Sequence, residues 1–274
     1  MKLILLTALT MVAFAANSVL NRLALADQAI DPASFAAIRI AAGALVLWLL
    51  VQLRKGVIRF HLGGVVSLAA YTLGFSFAYV SLDTGVGALI LFGGVQVTMF
   101  LGALVSREAL PPARWVGAGV AFAGLMVLVW PGGAVTISPV GAGLMAAAAV
   151  GWGVYSLIGK GASDALANTA SNFIFALPFG LVALLIVPEL HATGSGVVLA
   201  VISGAVTSGL GYALWYAILP RMSASIAAIV MLTVPVIATA GGVIFLGENV
   251  GLRFATATVL VLGGVLIAAK PART

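Results

Sequence analysis

Apolar residues fill this chain in runs of about 17–25, each long enough to cross a bilayer, and short segments holding most of the charges, glycines and prolines separate the runs. A helix that is apolar on every side has no polar face to turn toward water, so it belongs inside a membrane or a large core. About 20 apolar residues at 1.5 Å rise span the hydrocarbon layer. The pattern predicts ten such helices, at residues 3–23, 33–53, 62–82, 85–106, 112–130, 138–159, 166–187, 197–218, 223–246 and 251–269. No stretch between them is long enough to fold as a soluble domain, and the fold class is an all-α membrane protein.

The second half of the pattern echoes the first. Ala88, Gly102, Glu108 and Gly124 return as Ala228, Gly242, Glu248 and Gly264, each 140 residues on, and Ser18 and Arg22 are answered by Ser156 and Lys160 at 138. Glutamate is rare here, so its two echoes outweigh those of the common glycines and alanines. The joint falls at the segment WPGGAVTISP, where Trp130, Pro131 and two glycines close one span and Pro139 opens the next. Residues 1–131 and 138–274 therefore form two repeats of five helices. Five is odd, so the second copy enters the membrane from the opposite side, which predicts two inverted five-helix repeats, the construction used for alternating access around a midplane site.

Composition agrees: 63% of residues are hydrophobic and 7% charged, where soluble domains carry about 25% charge. The net charge of +6 bears on orientation. With both termini in the cytoplasm, the inner side receives Lys2, Arg54, Lys55, Arg59, Arg107, Arg114, Lys160, Arg221, Lys270 and Arg273, and the outer side only Arg22 and Arg253. That asymmetry is a positive-inside signal for a cytoplasmic (inner) membrane. It makes the basic character an orientation signature rather than a nucleic-acid footprint. The opening MKLILLTALTMVAFAA has the look of a secretory leader, yet removing it would strip Ser18 and Arg22 of the helix that matches the one bearing Ser156 and Lys160, so it reads as the first span. There is no cysteine, hence no disulfide or thiolate chemistry. The two histidines, His61 and His191, fall in loops on opposite sides, and no paired midplane carboxylates exist. An intramembrane enzyme lacks its groups, and no cofactor or metal is expected.

The segments VSREALPPARWVGAGVAFAGLMVLV and IFLGENVGLRFATATVLVLGGVLIAA, with AIRIAAGALVL in span two and WGVYSLIGKGA opening the second half, resemble the drug/metabolite transporter superfamily, specifically its ten-helix members built of two EamA-type halves. The resemblance covers essentially the whole chain and implies export of small metabolites, aromatic amino acids foremost. It implies that spans one, three, four, six, eight and nine surround a central cavity. Two departures narrow the cargo. The four-helix drug antiporters of the superfamily carry a carboxylate in their first helix, and span one has none. The nucleotide-sugar members need cationic groups facing phosphates, and the spans offer little beyond Arg39. In the first copy Arg107 precedes Glu108, whereas Gly247 precedes Glu248 in the second.

No Asp or Glu lies mid-span, so the usual proton relays are missing and uncoupled transport is expected. Glu108 and Glu248 are expected to cap the turns into spans five and ten. Arg39, roughly 10 Å below the outer end of its helix at 1.5 Å per residue, is either an anchor for an anionic group or a structural arginine held by carbonyls, Asp31 or Asp83. Polar residues at depth are Asn17, Ser18, Tyr71, Gln96, Ser156, Thr207 and Ser208, joined by the aromatics Trp152, Tyr155, Tyr212 and Trp215; together they are the candidate cavity lining. Each alone could be an interhelical hydrogen bond or packing contact. Tyr79 and Tyr216, like Trp48, Trp115 and Trp130, are expected at the membrane interface. Pro178 and Pro235 are candidate hinges or static kinks. The reading is thus a carrier of amino acids or related metabolites, monomeric or weakly homo-oligomeric, embedded in lipid. A neutral-solute channel and a proton- or ion-coupled drug or metabolite exporter stand as alternatives.

Overall fold

The computed structural model describes residues 2–105, 111–129, 137–159, 162–221, 230–231 and 233–268. Its helices are α1 (Lys2–Ala26), α2 (Pro32–Leu53), α3 (Leu62–Ala78), α4 (Thr84–Val105), α5 (Pro112–Val129), α6 (Pro139–Gly159), α7 (Ala165–Ile186), α8 (Gly194–Arg221), α9 (Thr233–Leu246) and α10 (Leu252–Ala268). Six of them are long and apolar enough to span a bilayer, and the other four are shorter apolar helices. The fold is all-helical among the described residues. Its one extended feature is an isolated bridge between Ile30 and Ala192.

Burial is inside-out relative to a soluble protein. Leu185 and Leu252 are each 85% exposed, while Arg39, Asn21, Ser208 and Asn172 are fully enclosed. Lipid accepts leucine on the outer faces, and buried polar groups find partners only between helices.

Helix ends follow local chemistry and differ from the sequence-predicted limits where a cap intervenes. Asp31, Asp164, His61 and Thr193 cap α2, α7, α3 and α8 by accepting from the amides of Ser34, Ala167, Gly64 and Gly196. The Thr193 cap starts α8 three residues before the predicted 197. The predicted third span ran to 82, but α3 stops at Ala78, and Ser81 and Leu82 turn back onto the Ala78 carbonyl.

Packing brings α2 against α7, α4 against α9 and α5 against α10; α6 lies on α3 and α4, and α1 on α8 and α9. The α2–α8 contact is close because of Gly204. A Cβ there would collide with the Arg39 carbonyl, so only glycine lets these two backbones approach so nearly.

Two expectations need correction. Tyr79 is fully buried rather than interfacial: its ring packs edge-on to Phe75 at 4.7 Å, and its hydroxyl donates to the Thr84 carbonyl at 3.3 Å. Glu248 does not cap the turn into its own helix α10. Its carboxylate accepts from the Thr84 amide at 2.7 and 2.9 Å and from the Thr84 hydroxyl at 2.9 Å, capping α4 instead. Gly247, at φ +66°, makes the left-handed turn that presents Glu248, a conformation costly to residues with a Cβ. Its counterpart Arg107, with Glu108, lies outside the described residues, as do Trp130, Pro131 and Lys160.

Candidate binding cavity

A small cavity lies where α1, α3, α4, α6 and α8 converge. Phe14, Asn17 and Ser18 of α1, Tyr71 and Phe75 of α3, Leu91 and Phe92 of α4, Trp152 of α6, and Thr207 and Tyr212 of α8 line it. It has about 10 Å³ of room for water centres, enough for roughly one water. The walls are therefore closed together, and an organic solute enters only when helices part.

Aromatic rings make most of the wall. Trp152 sits 4.8 Å from both Tyr71 and Tyr212 and stacks on Tyr155 at 5.5 Å. Phe14 meets Tyr212 edge-on at 5.7 Å and Trp215 at 5.9 Å. Such contacts each add about 0.5–1.5 kcal/mol beyond burial and fix ring orientation.

Behind the rings runs a buried polar network. Asn17 Oδ1 accepts from Ser203 at 2.6 Å and Thr207 at 3.0 Å. Asn21 donates to the Asn17 carbonyl and to Ser203, and accepts from Ser76 at 3.1 Å. Arg39 Nε donates to Ser208 at 3.1 Å and Nη2 to the Tyr71 hydroxyl at 3.0 Å. The guanidinium also lies 4.9 Å from the Phe75 ring centroid and 5.2 Å from that of Tyr71, within cation–π range.

A local departure from α-geometry assembles part of this network. Ser203–Leu210 within α8 is π-helical, a rare form that is frequent at functional sites. In a regular α-helix residues five apart diverge by about 140°. The i→i+5 repeat instead brings Ser203, which serves Asn17, and Ser208, which serves Arg39, onto one buried face.

Arg39 is completely buried and pairs with neither carboxylate that was considered for it. Asp31 is held by the Ser34 and His191 amides at 2.8 and 3.0 Å, and Asp83 lies 3.4 Å from Arg22. Charge at such depth costs about 2.5–3.5 kcal/mol on insertion scales. Two hydrogen bonds and two ring faces offset part of this, and Nη1 makes no hydrogen bond.

The structure thus brings Asn17, Ser18, Tyr71, Trp152, Thr207 and Tyr212 to one cavity. Tyr155, Ser208 and Trp215 stand a layer behind. The Tyr155 hydroxyl donates to Thr169 at 3.2 Å, Ser208 holds Arg39, and Trp215 backs Phe14. Ser156 turns back on its own helix, donating to the Trp152 carbonyl at 2.7 Å. Gln96 is half-buried and off the lining. Pro178 lies inside α7, and Pro235 in the first turn of the described α9. Sequence reasoning missed Phe14, Phe75, Leu91 and Phe92. Helical spacing held a signal for two of them: Phe14 is one turn before Ser18, and Phe75 one turn after Tyr71. On α4 the polar Gln96 drew attention from Phe92, one turn earlier.

At the end of the bundle bearing Arg22, charges tie helices together. Arg22 donates to the carbonyls of Tyr79 and Val80 at 3.0 and 3.1 Å and lies 3.4 Å from Asp83 and 3.7 Å from Glu248. With Glu248 on Thr84, one arginine joins α1, the α3–α4 turn and the α9–α10 turn. At the same end, Asp31 is buried, which raises its pKa. Hydrogen bonds from the backbone and side chain of Ser34 and from the backbone of His191 and Ala33 outweigh this and hold it below 3.8.

Comparison with known proteins follows this geometry. The EamA-like transporter family profile matches residues 139–269. An uncharacterized protein of Pseudomonas aeruginosa is 44% identical over 98% of this chain and 94% of its own length. A protein of Salmonella typhimurium named "Probable amino-acid metabolite efflux pump" is 28% identical over 75% of this chain and 74% of its own, and an uncharacterized transporter of Archaeoglobus fulgidus is 26% identical over 76% and 75%. A crystal structure superposes with a TM-score of 0.65 at 23% identity, covering 95% of this chain and 98% of that one, which shows the fold. The chain belongs to the EamA-like transporter family, and is a multi-pass membrane transporter rather than an enzyme.

Proposed function

We propose that this transporter exports small metabolites across the cytoplasmic membrane, with aromatic and large apolar amino acids as the foremost cargo. It does so by alternating access of two inverted five-helix halves, 1–131 and 138–274, without proton coupling and with both termini in the cytoplasm. The observation that carries the reading is the cavity itself: helices from both halves close aromatic walls around a space whose lining includes no Asp or Glu. Rings that pack on one another at 4.8–5.7 Å can pack on a planar or branched apolar side chain when they part. The helix contacts support the two-half arrangement. Exchanging α1–α5 for α6–α10 maps the α2–α7, α4–α9 and α5–α10 pairs onto themselves, and maps α6 on α3 and α4 onto α1 on α8 and α9.

The printed name of the Salmonella relative agrees with amino-acid cargo and with efflux. Absence of a carboxylate on the cavity favours flux down the cargo gradient, since protonatable groups at depth are the usual coupling devices. The test is counterflow in proteoliposomes: phenylalanine, tyrosine, leucine and polar controls inside, labelled cargo outside, with and without a pH gradient. Saturable, trans-stimulated uptake of large apolar amino acids, unchanged by the gradient, is expected. Uptake insensitive to trans substrate identifies a channel. Accumulation driven by the pH gradient overturns the uncoupled mechanism.

A further inference from the structure

We infer that the cavity is a carboxylate site, in which Arg39 with the hydroxyls of Tyr71 and Tyr212 recognises the anionic group of the cargo, and that the cargo's amine is not read by charge. This rests on the cavity being the cargo site.

The argument is an inventory of donors and acceptors. A hydroxyl has one hydrogen to give and two lone pairs. Tyr71 accepts from Arg39 Nη2 at 3.0 Å and from Asn17 Nδ2 at 3.5 Å, which uses its lone pairs and leaves its proton to face the cavity and the neighbouring Tyr212 hydroxyl. The Tyr212 hydroxyl, beside that of Tyr71, and the Ser18 hydroxyl, beside that of Tyr79, are both on the lining and buried, and neither completes a well-formed hydrogen bond among the described residues. Arg39 Nη1 is likewise buried and unpartnered. The acceptor most able to hold an ammonium, Asn17 Oδ1, already takes two hydrogen bonds. The Tyr212 and Ser18 hydroxyls can give or accept, so the sign of the site is set by Arg39 and the Tyr71 proton: a buried cation and a donor, with no facing carboxylate among the described residues, complement an anion and repel a cation. In so dry a place the charge acts with little screening. The guanidinium sits behind Tyr71 and Phe75, so its pull reaches the cavity through the polarised Tyr71 O–H, and directly once the walls part.

The consequence is a substrate rule: one carboxylate on an apolar or aromatic body. A 2-oxo acid or arylalkanoate should serve as well as the matching amino acid, whereas the amine or the amide should not.

The experiment is the proteoliposome counterflow assay with phenylalanine, phenylpyruvate, 3-phenylpropanoate, phenylalaninamide and phenethylamine as competitors. The three acids are expected to compete, with the amide and amine weaker by about 10–100-fold, the worth of a charge-assisted hydrogen bond. Arg39→Gln should abolish that preference and Arg39→Lys should restore part of it; Tyr71→Phe should reduce it about tenfold. Equal competition by the amide or amine overturns the carboxylate site while leaving the carrier reading standing. A preference undiminished in both Arg39→Gln and Tyr71→Phe overturns the assignment of these residues. No exchange of any aromatic compound overturns the cargo reading and this inference with it. If Arg39→Gln does not fold, the wild-type panel and Tyr71→Phe decide.

Discussion

Trp152 and Asp31 show how single residues divide between cavity and scaffold. Trp152 holds Tyr71, Tyr155 and Tyr212 in place by ring contact and lines the cavity, so truncation removes both packing and a wall. Trp152→Ala is expected to destabilise the protein by about 3–5 kcal/mol, read as a lower melting temperature in detergent; Trp152→Phe should restore most of the stability but alter cargo preference in counterflow. Asp31 lies off the cavity lining and caps α2. A carboxylate whose folded pKa is depressed adds stability that is complete above its unfolded pKa and is lost as pH falls through the folded one. Because Asp31 titrates below 3.8 in the fold, its contribution should be constant from neutral pH down to about 4–5 and disappear below. In Asp31→Asn the bond from the Ser34 amide can persist while the second acceptor, which takes the His191 amide, and the titration are lost, so melting temperatures of variant and wild type should converge as the pH falls. Parallel curves over that range would assign the acid sensitivity to other groups.

Among the elements, α8 carries the most consequence. Its π-helical turn places Ser203 and Ser208 on one face, and Gly204 lets that turn lie against Arg39. Gly204→Ala is expected to force α8 away from α2 and break the Arg39–Ser208 bond, at about 1–3 kcal/mol for an overpacked contact. Gly143→Ala on α6, where a Cβ meets nothing within 4 Å, is the matched control and should be neutral or slightly stabilising. Melting temperatures of the pair measure this directly. The turn before α10 behaves similarly: at φ +66°, Gly247→Ala should cost about 1–2 kcal/mol and loosen Glu248 from Thr84.

For the whole molecule, the Arg22 cluster ties one end of the bundle together, because Glu248 reaches across from the α9–α10 turn to the start of α4. If the halves rock, this end opens only when those contacts part. Glu248→Gln keeps the shape but weakens both the ion pair and the helix cap, and it should favour opening there. The chain has no cysteine, so a Thr207→Cys reporter on the cavity is the sole thiol, and its reaction with a membrane-impermeant maleimide should accelerate several-fold with Glu248→Gln. An unchanged rate would mean that the cluster is only a brace. From the sequence alone, the membrane class, ten apolar helices and most of their limits were readable, because each depends on residues near one another in the chain: run length, caps, prolines. Asn17, Tyr71 and Trp152 were also within reach, since polar and aromatic groups at mid-span are conspicuous against lipid-facing leucine and valine. Tertiary structure decided the rest. Only packing shows that Arg39 pairs with neither Asp31 nor Asp83, that Tyr79 is buried, that Glu248 caps a helix 164 positions away in sequence, and that α8 widens to a π-turn. Each of these turns on which helix stands opposite which. In a membrane that choice rests on close backbone approach and buried hydrogen bonds, and neither leaves a pattern in the order of residues along one helix.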